Sequence, residues 1–169
     1  MPESIIVFWQ IFKSTWQIWI LIVGVGLFRI LVEYFLRWFK EWKLKRWLEK
    51  HKKLEDWKKL EGREFEKVVA TIYRNLGYKT KVRRDGGIDI IARKDGKRIF
   101  IQCKRMDKVV PDDVRAFWGS IQKQIEKGKG EGGVFVTTGS FTEGSKEFVK
   151  DKPIELIDGL KLEELTKGK

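Results

Sequence analysis

Cysteine and histidine are almost absent from this chain of 169 residues, which has one of each, Cys103 and His51. A single thiol excludes an intrachain disulfide framework and every zinc site that needs several thiolates. One histidine in a Lys- and Glu-rich stretch gives no convincing host for a Ser/His/Asp triad or a histidine-based metal cluster. The sequence also has no G-x-x-x-x-G-K followed by Ser or Thr, so nucleotide hydrolysis by a phosphate loop is excluded.

Negative charge is the scarcer sign, because 24 acidic residues face 36 basic ones and leave a net charge of +12. Such an excess favours a polyanionic partner, nucleic acid or anionic lipid, over a neutral metabolite. The simpler alternative is a Lys-rich surface that serves solubility alone. The length suits one catalytic domain with an appendage rather than two full enzyme domains.

Charged residues are rare between Ile5 and Leu36, and residues 16–28 contain none. The apolar run is too long for a signal-peptide core and lacks a basic start, so residues 1–40 are predicted to contain a retained transmembrane helix. Two registers remain open, Ile5 to Phe28 and Trp19 to Trp38, and the second spans roughly 28 Å with tryptophan at both ends. The alternative is a buried helix or helical hairpin of a soluble protein.

The charges that flank the apolar run are unequal. Residues 29–59 contain eleven basic and five acidic side chains, whereas the N-terminal flank offers Lys13. The positive-inside rule therefore predicts a single-pass membrane protein whose C-terminal domain lies in the cytoplasm. Residues 41–61 are predicted to form a charged amphipathic helical linker, which lies on the membrane surface, pairs with another chain in a homo-oligomer, or acts as a stiff spacer.

Residues 62–169 show the alternation of helices and strands that is typical of an α/β domain. We predict a mixed β-sheet flanked by helices, with a K-D-G-K hairpin turn between the second and third strands. The predicted elements are a helix between Gly62 and Gly77, strands Lys79–Val82, Ile88–Ala92 and Arg98–Lys104, a helix from Pro111 to the glycines of 128–133, strand Val134–Thr137, helix Thr142–Val149, strand Ile154–Ile157 and a helical turn Leu160–Thr166.

Three polar side chains converge in this sheet. Asp89 lies within an apolar strand, where an unpartnered carboxylate would be costly, and strand alternation places Gln102 and Lys104 on one face of the next strand. One interpretation is a salt bridge between Asp89 and Lys104 with Gln102 as a hydrogen-bond partner. The other is a divalent cation bound by Asp89, the Gln102 amide and the Cys103 carbonyl, with Lys104 positioning or activating water.

Four segments carry a family resemblance: G-R-E-F-E-K-V-V-A with N-L-G-Y, then G-G-I-D-I-I-A, I-Q-C-K-R, and G-V-F-V-T-T-G-S-F-T. In order and spacing they resemble the Mrr-like restriction endonuclease domain, a branch of the PD-(D/E)XK nuclease superfamily in which glutamine often replaces the second acidic ligand. The resemblance covers Gly62 to about Leu165 and leaves residues 1–61 unexplained. It implies a restriction-endonuclease-like fold.

The resemblance also implies metal-dependent hydrolysis of DNA phosphodiester bonds, with Mg²⁺ or Mn²⁺ as cofactor and a role in restriction of foreign DNA. Asp89 then takes the position of the metal-binding aspartate, Gln102 that of the glutamine in Q-x-K, and Lys104 that of the catalytic lysine. Glu66 occupies the position of an accessory acid that acts through water or a second metal, with Glu64 as the fallback.

Basic residues next to these motifs are candidates for binding DNA phosphates. Arg83 and Arg84 precede the strand of Asp89, and Arg105 follows Lys104, although each could equally serve solubility. Two alternatives to a restriction nuclease remain. One is a non-catalytic, membrane-anchored nucleic-acid-binding protein with the nuclease fold, and the other is a repair or junction nuclease, or one acting on RNA.

Overall fold

The computed structural model describes residues 3–51, 53–83 and 86–167. The chain divides into two compact units, Met1–Lys43 and Leu44–Lys169. The elements, in chain order, are α1 (Glu3–Lys50), α2 (Leu54–Lys58), α3 (Gly62–Asn75), β1 (Lys79–Val82), β2 (Ile90–Lys94), β3 (Lys97–Lys104), β4 (Lys108–Val109), α4 (Pro111–Glu126), β5 (Gly132–Thr137), β6 (Ser140–Phe141), α5 (Glu143–Val149), β7 (Ile154–Ile157) and α6 (Gly159–Lys167).

The first unit is the N-terminal part of α1, whose large apolar side chains are exposed. The most apolar stretch of the helix has a mean hydropathy of 2.0, and none of it is buried. Arg29 and Glu33, four residues apart, form an ion pair of 3.7 Å on this helix. Helix α1 is long and apolar enough to cross a membrane, as its composition predicts.

The segment of residues 41–61, predicted as one charged helix, is divided in the structure. Helix α1 ends at Lys50, and the ring of His51 stacks on that of Trp47 with 4.5 Å between ring centroids. Trp57 is fully buried, and its indole Nε1 donates a hydrogen bond of 2.9 Å to the His51 carbonyl. Burial of the Trp57 side chain favours this division of the helix.

The second unit is built on a five-stranded sheet in the order β1-β2-β3-β5-β7. Strands β1, β2 and β3 are antiparallel, whereas β3, β5 and β7 are parallel. A separate parallel pair joins β4 and β6. The predicted mixed sheet is therefore confirmed, with β2 starting at Ile90 rather than Ile88, so that Asp89 directly precedes the strand.

Helices pack on both faces of this sheet and produce two hydrophobic cores. Helix α3 covers one face with Phe65, Val68 and Ile72, and helix α4 covers the other with Phe117 and Ile121. The apolar spacing in both helices matches one face of a 3.6-residue period. The hairpin between β2 and β3 turns at Asp95 and Gly96, whose φ angles of 51° and 79° fit the predicted K-D-G-K turn. Strand β3 is thus held centrally between two cores.

Candidate active site

Asp89 is fixed to the end of strand β3 by two hydrogen bonds. Its backbone N–H donates to the Ile101 carbonyl at 2.9 Å, and its side-chain Oδ2 accepts from the Cys103 N–H at 2.7 Å. One bond extends the pairing of β2 with β3, and the other ties the carboxylate itself to the strand. The orientation of Asp89 is therefore set by the sheet.

Gln102 contributes a buried amide oxygen. Its side-chain Oε1 is buried and has no hydrogen-bond partner among the described residues. Leaving a buried acceptor unpartnered costs about 1–3 kcal/mol. Gln102 as a whole is partly buried, two residues before the end of the central strand β3. An acceptor held in this way is suited to a cation or to a donor from a bound substrate.

Glu66, in the second turn of α3, lies in the electrostatic field of Asp89. Burial raises the pKa of Glu66 above its ordinary value of 4.5, and the negative charge of Asp89 raises it further, against the lowering effects of Arg63 and Lys67. Burial also raises the pKa of Asp89, opposed by the hydrogen bond from the Cys103 N–H. A positive charge would therefore be stabilised next to these two carboxyl groups.

Lys104 pairs with Asp113 rather than with the aspartate that the salt-bridge interpretation proposed. Its Nζ donates to Oδ1 of Asp113, a residue in the first turn of α4. Sequence reasoning missed Asp113. The signal available was its place in P-D-D at the start of a helix that follows β3, where acidic residues are favoured, but nothing in the spacing distinguished it from Asp112.

The Cys103 side chain points to the opposite face of β3 and packs against the α3 core. Burial raises the pKa of its thiol well above the ordinary value, and the charges of Asp89 and Glu66 add to this effect. A thiolate is therefore strongly disfavoured, which agrees with the prediction that this residue packs rather than acts as a nucleophile. Its backbone carbonyl remains a predicted metal ligand.

The donor set of this cluster fits a hard divalent cation. Oxygen atoms from Asp89, Glu66 and Gln102 are the ligand type that Mg²⁺ and Mn²⁺ prefer. Within the described ranges, no group of three or more His, Cys, Asp or Glu side chains could hold a metal ion. The buried Oε1 of Gln102, which has no hydrogen-bond partner among the described residues, is the atom that such an ion would satisfy.

The three arginines predicted to bind phosphate have different surroundings. The backbone N–H of Arg83 donates to the Asp89 carbonyl at 2.7 Å, and the residue is exposed. Arg105 Nη1 donates to the Lys58 carbonyl at 2.7 Å, which leaves other N–H groups of its guanidinium for further contacts. Arg84 lies outside the described residues.

A cavity of about 330 Å³ lies elsewhere in the second unit. Its lining is shared by the end of α1, helix α3 and helix α6: Lys45, Leu48, Glu49, Ile72, Asn75, Leu76, Leu165 and Thr166. None of these residues belongs to the cluster of Asp89, Gln102 and Lys104. The candidate site is therefore assigned from its chemistry and not from the shape of this cavity.

A mixed sheet between helices, with an acidic, amide and lysine cluster at the ends of two adjacent strands, defines the restriction-endonuclease-like class of α/β proteins. A family model described as restriction endonuclease, Mrr_cat, matches residues 57–166. The chain belongs to this family. The resemblance expected from the four sequence segments is thereby confirmed.

Known relatives agree with this assignment. The type IV methyl-directed restriction enzyme EcoKMrr of Escherichia coli (strain K12) is 31% identical over 111 residues, which is 58% of this chain and 35% of the relative. The chain thus spans about a third of that protein.

Among solved structures, the protein of unknown function AF1548 aligns with a TM-score of 0.53 at 22% identity, over 61% of this chain and 65% of that one, and supports the fold. The DNA modification-dependent restriction endonuclease AspBHI aligns with a TM-score of 0.49 at 20% identity, over 60% and 30%.

Proposed function

We propose that this protein is a metal-dependent endonuclease that hydrolyses DNA phosphodiester bonds in restriction of foreign DNA. The observation behind the proposal is the buried Oε1 of Gln102, which has no hydrogen-bond partner among the described residues. It lies on the strand whose Cys103 N–H holds the carboxylate of Asp89. Membership of the restriction endonuclease family supports the choice of a phosphodiester as substrate. The net charge of +12 favours a polyanion.

Asp89, Gln102 and the Cys103 carbonyl would hold the ion, with Glu66 as an accessory ligand directly or through water. A bound Mg²⁺ or Mn²⁺ supplies neutralisation of phosphate charge and a more acidic water. The Cys103 N–H keeps Asp89 oriented. Glu66, whose pKa is raised by burial, is a stronger proton acceptor than an ordinary glutamate.

Lys104 is proposed to orient the attacking water or to stabilise charge on the phosphate oxygens. Its ammonium carries three N–H donors, of which Asp113 takes one. Lys104 is the last residue of β3, and its remaining donors are proposed to contact the substrate. Arg83, Arg84 and Arg105 are proposed to contact the DNA backbone, where each adds affinity without reading sequence.

The test is cleavage of supercoiled plasmid by the full chain in detergent, with Mg²⁺, with Mn²⁺ and with EDTA. A fragment that begins at Gly62 is unsuitable, because it would lack the buried Leu48 and Trp57. We expect metal-dependent nicking that falls at least about a hundredfold in Asp89→Asn and Lys104→Ala. The matched control is Lys146→Ala, which removes an exposed lysine that pairs with Glu143.

Cleavage in EDTA, or cleavage that survives both substitutions, would refute the proposed site. Retention of DNA without cleavage in any metal would favour a non-catalytic nucleic-acid-binding protein with this fold. Parallel digestion of RNA and of a branched DNA junction decides whether linear DNA is the substrate. Preferential cutting of a junction would replace restriction by a repair role.

We further propose that α1 anchors the protein in a membrane as a single span, with the second unit in the cytoplasm. The support is the exposed apolar surface of α1 and the basic residues that follow the apolar run from Ile5 to Leu36 on the same helix, among them Arg37, Lys40 and Lys43. The test is extraction of membranes with carbonate and then with detergent. Release by carbonate alone would instead indicate a helix that is covered by protein.

A further inference from the structure

Asp113 is the more enclosed partner of the ion pair with Lys104. The Asp113 side chain is 16% exposed and the Lys104 side chain 44% exposed. Both groups are thus partly withdrawn from water, where an ion pair holds its geometry better than at an open surface. Asp112, the preceding residue, differs clearly: its side chain is 86% exposed and pairs with Arg115 on the same helix.

The carboxylate of Asp113 is held by both of its oxygen atoms. While Oδ1 accepts from Lys104, Oδ2 accepts from the backbone N–H of Val110 at 3.2 Å. The Asp113 N–H in turn donates to the Val110 carbonyl at 3.1 Å. Pro111 at the first helical position favours this helix start. The rotamer of Asp113 is therefore set by the first turn of α4.

Helix α4 is itself firmly anchored on the sheet. Val114, Phe117 and Ile121 each have no exposed surface and pack in the core on that face. Lysine, by contrast, has a flexible four-carbon side chain with many accessible rotamers. A fixed carboxylate at the far end of this side chain restricts where its ammonium can go.

We propose that Asp113 is the positioning residue for Lys104: anchored by the first turn of α4, its carboxylate holds the ammonium at the end of β3 where it meets substrate. This role rests on the proposed nuclease function. Asp113 accepts a hydrogen bond from one of the three N–H donors of the Lys104 ammonium. It therefore orients Lys104 and leaves two donors for the substrate. Loss of the carboxylate leaves the lysine present but misplaced, and misplacement lowers turnover more than substrate binding.

The test uses the full chain in detergent, with Asp113→Asn as the main variant. Asparagine keeps an oxygen for the Val110 N–H and removes the charge that holds Lys104. We expect kcat to fall by about tenfold or more, with KM nearly unchanged, and Asp113→Glu to recover part of the loss. Asp112→Asn is the matched control, because it makes the same charge change one residue away, and it should retain wild-type kcat.

Two further measurements separate positioning from a structural role. In a Lys104→Ala background, assayed under single turnover, Asp113→Asn should cause no additional loss, because its effect passes through the lysine. Labelling of lysines with acetic anhydride, read by mass spectrometry, should increase several-fold at Lys104 in Asp113→Asn and not in Asp112→Asn.

Four outcomes would overturn the proposal. Unchanged turnover in Asp113→Asn would mean that the pair is incidental, and increased turnover would mean that it withdraws Lys104 from the site. An equal loss in the Lys104→Ala background would assign Asp113 to folding alone. A wild-type chain that cleaves no nucleic acid refutes the proposed function together with this role, whereas any of the first three outcomes, obtained with an active wild type, refutes this role alone.

Discussion

Replacement of Asp89 by asparagine should stabilise the metal-free protein while abolishing its response to metal. Burial raises the pKa of Asp89, and burial together with the charge of Asp89 raises that of Glu66. A pKa raised in the folded state means that folding favours the protonated carboxyl. Stability is then greatest below the ordinary carboxyl pKa and is lost as pH rises through the raised values. At neutral pH, Asp89→Asn removes the buried negative charge and therefore this loss of stability.

The same substitution is mild in packing terms, because the asparagine Oδ1 can still accept the hydrogen bond that Asp89 Oδ2 accepts from the Cys103 N–H. What changes is the charge available to a cation. A ligand that binds the folded state alone stabilises it by about 2.7 kcal/mol at a hundred times its Kd. For a unit the size of Leu44–Lys169, about 1 kcal/mol corresponds to roughly 4 °C in Tm, so saturating Mn²⁺ or Mg²⁺ should raise Tm by roughly 10 °C.

Scanning calorimetry of the full chain in detergent measures both effects, with EDTA or saturating metal, at neutral pH and near the ordinary glutamate pKa of 4.5. Wild type should gain from metal at neutral pH and far less at the acidic pH. Asp89→Asn should exceed wild type in EDTA and show almost no gain with metal, while Asp112→Asn should behave as wild type. An Asp89→Asn variant that is less stable than wild type in EDTA, or that keeps the wild-type gain in Tm with metal, would contradict these expectations.

Four other changes test the fold and the DNA-binding surface. Trp57→Ala should cost about 3–5 kcal/mol in urea unfolding, because it empties a fully buried position; a cost under about 1 kcal/mol would contradict the packing. Gly139→Ala should destabilise by about 1–3 kcal/mol, since a Cβ there would lie 2.1 Å from the Asp107 carbonyl oxygen. Gly119→Ala, in a helix with nothing within 4 Å, should gain about 0.5–1 kcal/mol in the same assay. Arg105→Ala should lower the slope of log affinity for DNA against log salt by about one, measured by anisotropy; an unchanged slope would limit Arg105 to its bond with the Lys58 carbonyl.

Much of the sheet could be predicted from the sequence because its signals are local. The K-D-G-K turn, the alternation around Phe100 and Gln102, and the spacing from Phe65 to Ile72 each depend on neighbouring residues alone. Strands β1 and β7 have the predicted bounds. The short strands β4 and β6, two residues each, were not predicted, since two residues give no measurable periodicity.

Tertiary contacts account for the parts that the sequence did not predict. The break after Lys50 has no glycine or proline to mark it; it exists because Trp57 is buried and bonds to the His51 carbonyl. The partner of Lys104 could not be predicted either, because Asp112 and Asp113 are adjacent and have the same side chain. Only the three-dimensional path from β3 to α4 decides which of the two meets the lysine. Local patterns thus find the elements, while long-range packing selects the pairs.

The candidate site contains a buried polar atom whose hydrogen-bonding capacity is not satisfied by the described residues. The Val109 carbonyl, for example, accepts from the hydroxyl of Ser145, whereas the Oε1 of Gln102 has no donor within the part of the chain that the structure describes. An unsatisfied buried group of this kind persists where the surrounding packing fixes the local structure. Strand β3 lies between two hydrophobic cores that supply such packing. It follows that substitutions which relieve this unfavourable burial should raise metal-free stability and lower cleavage together. Variants of Glu66, Asp89 and Gln102 should therefore gain stability as they lose activity, whereas variants of Asp112 should not. This inverse relation would distinguish a functional metal site from a nuclease fold that has lost its activity.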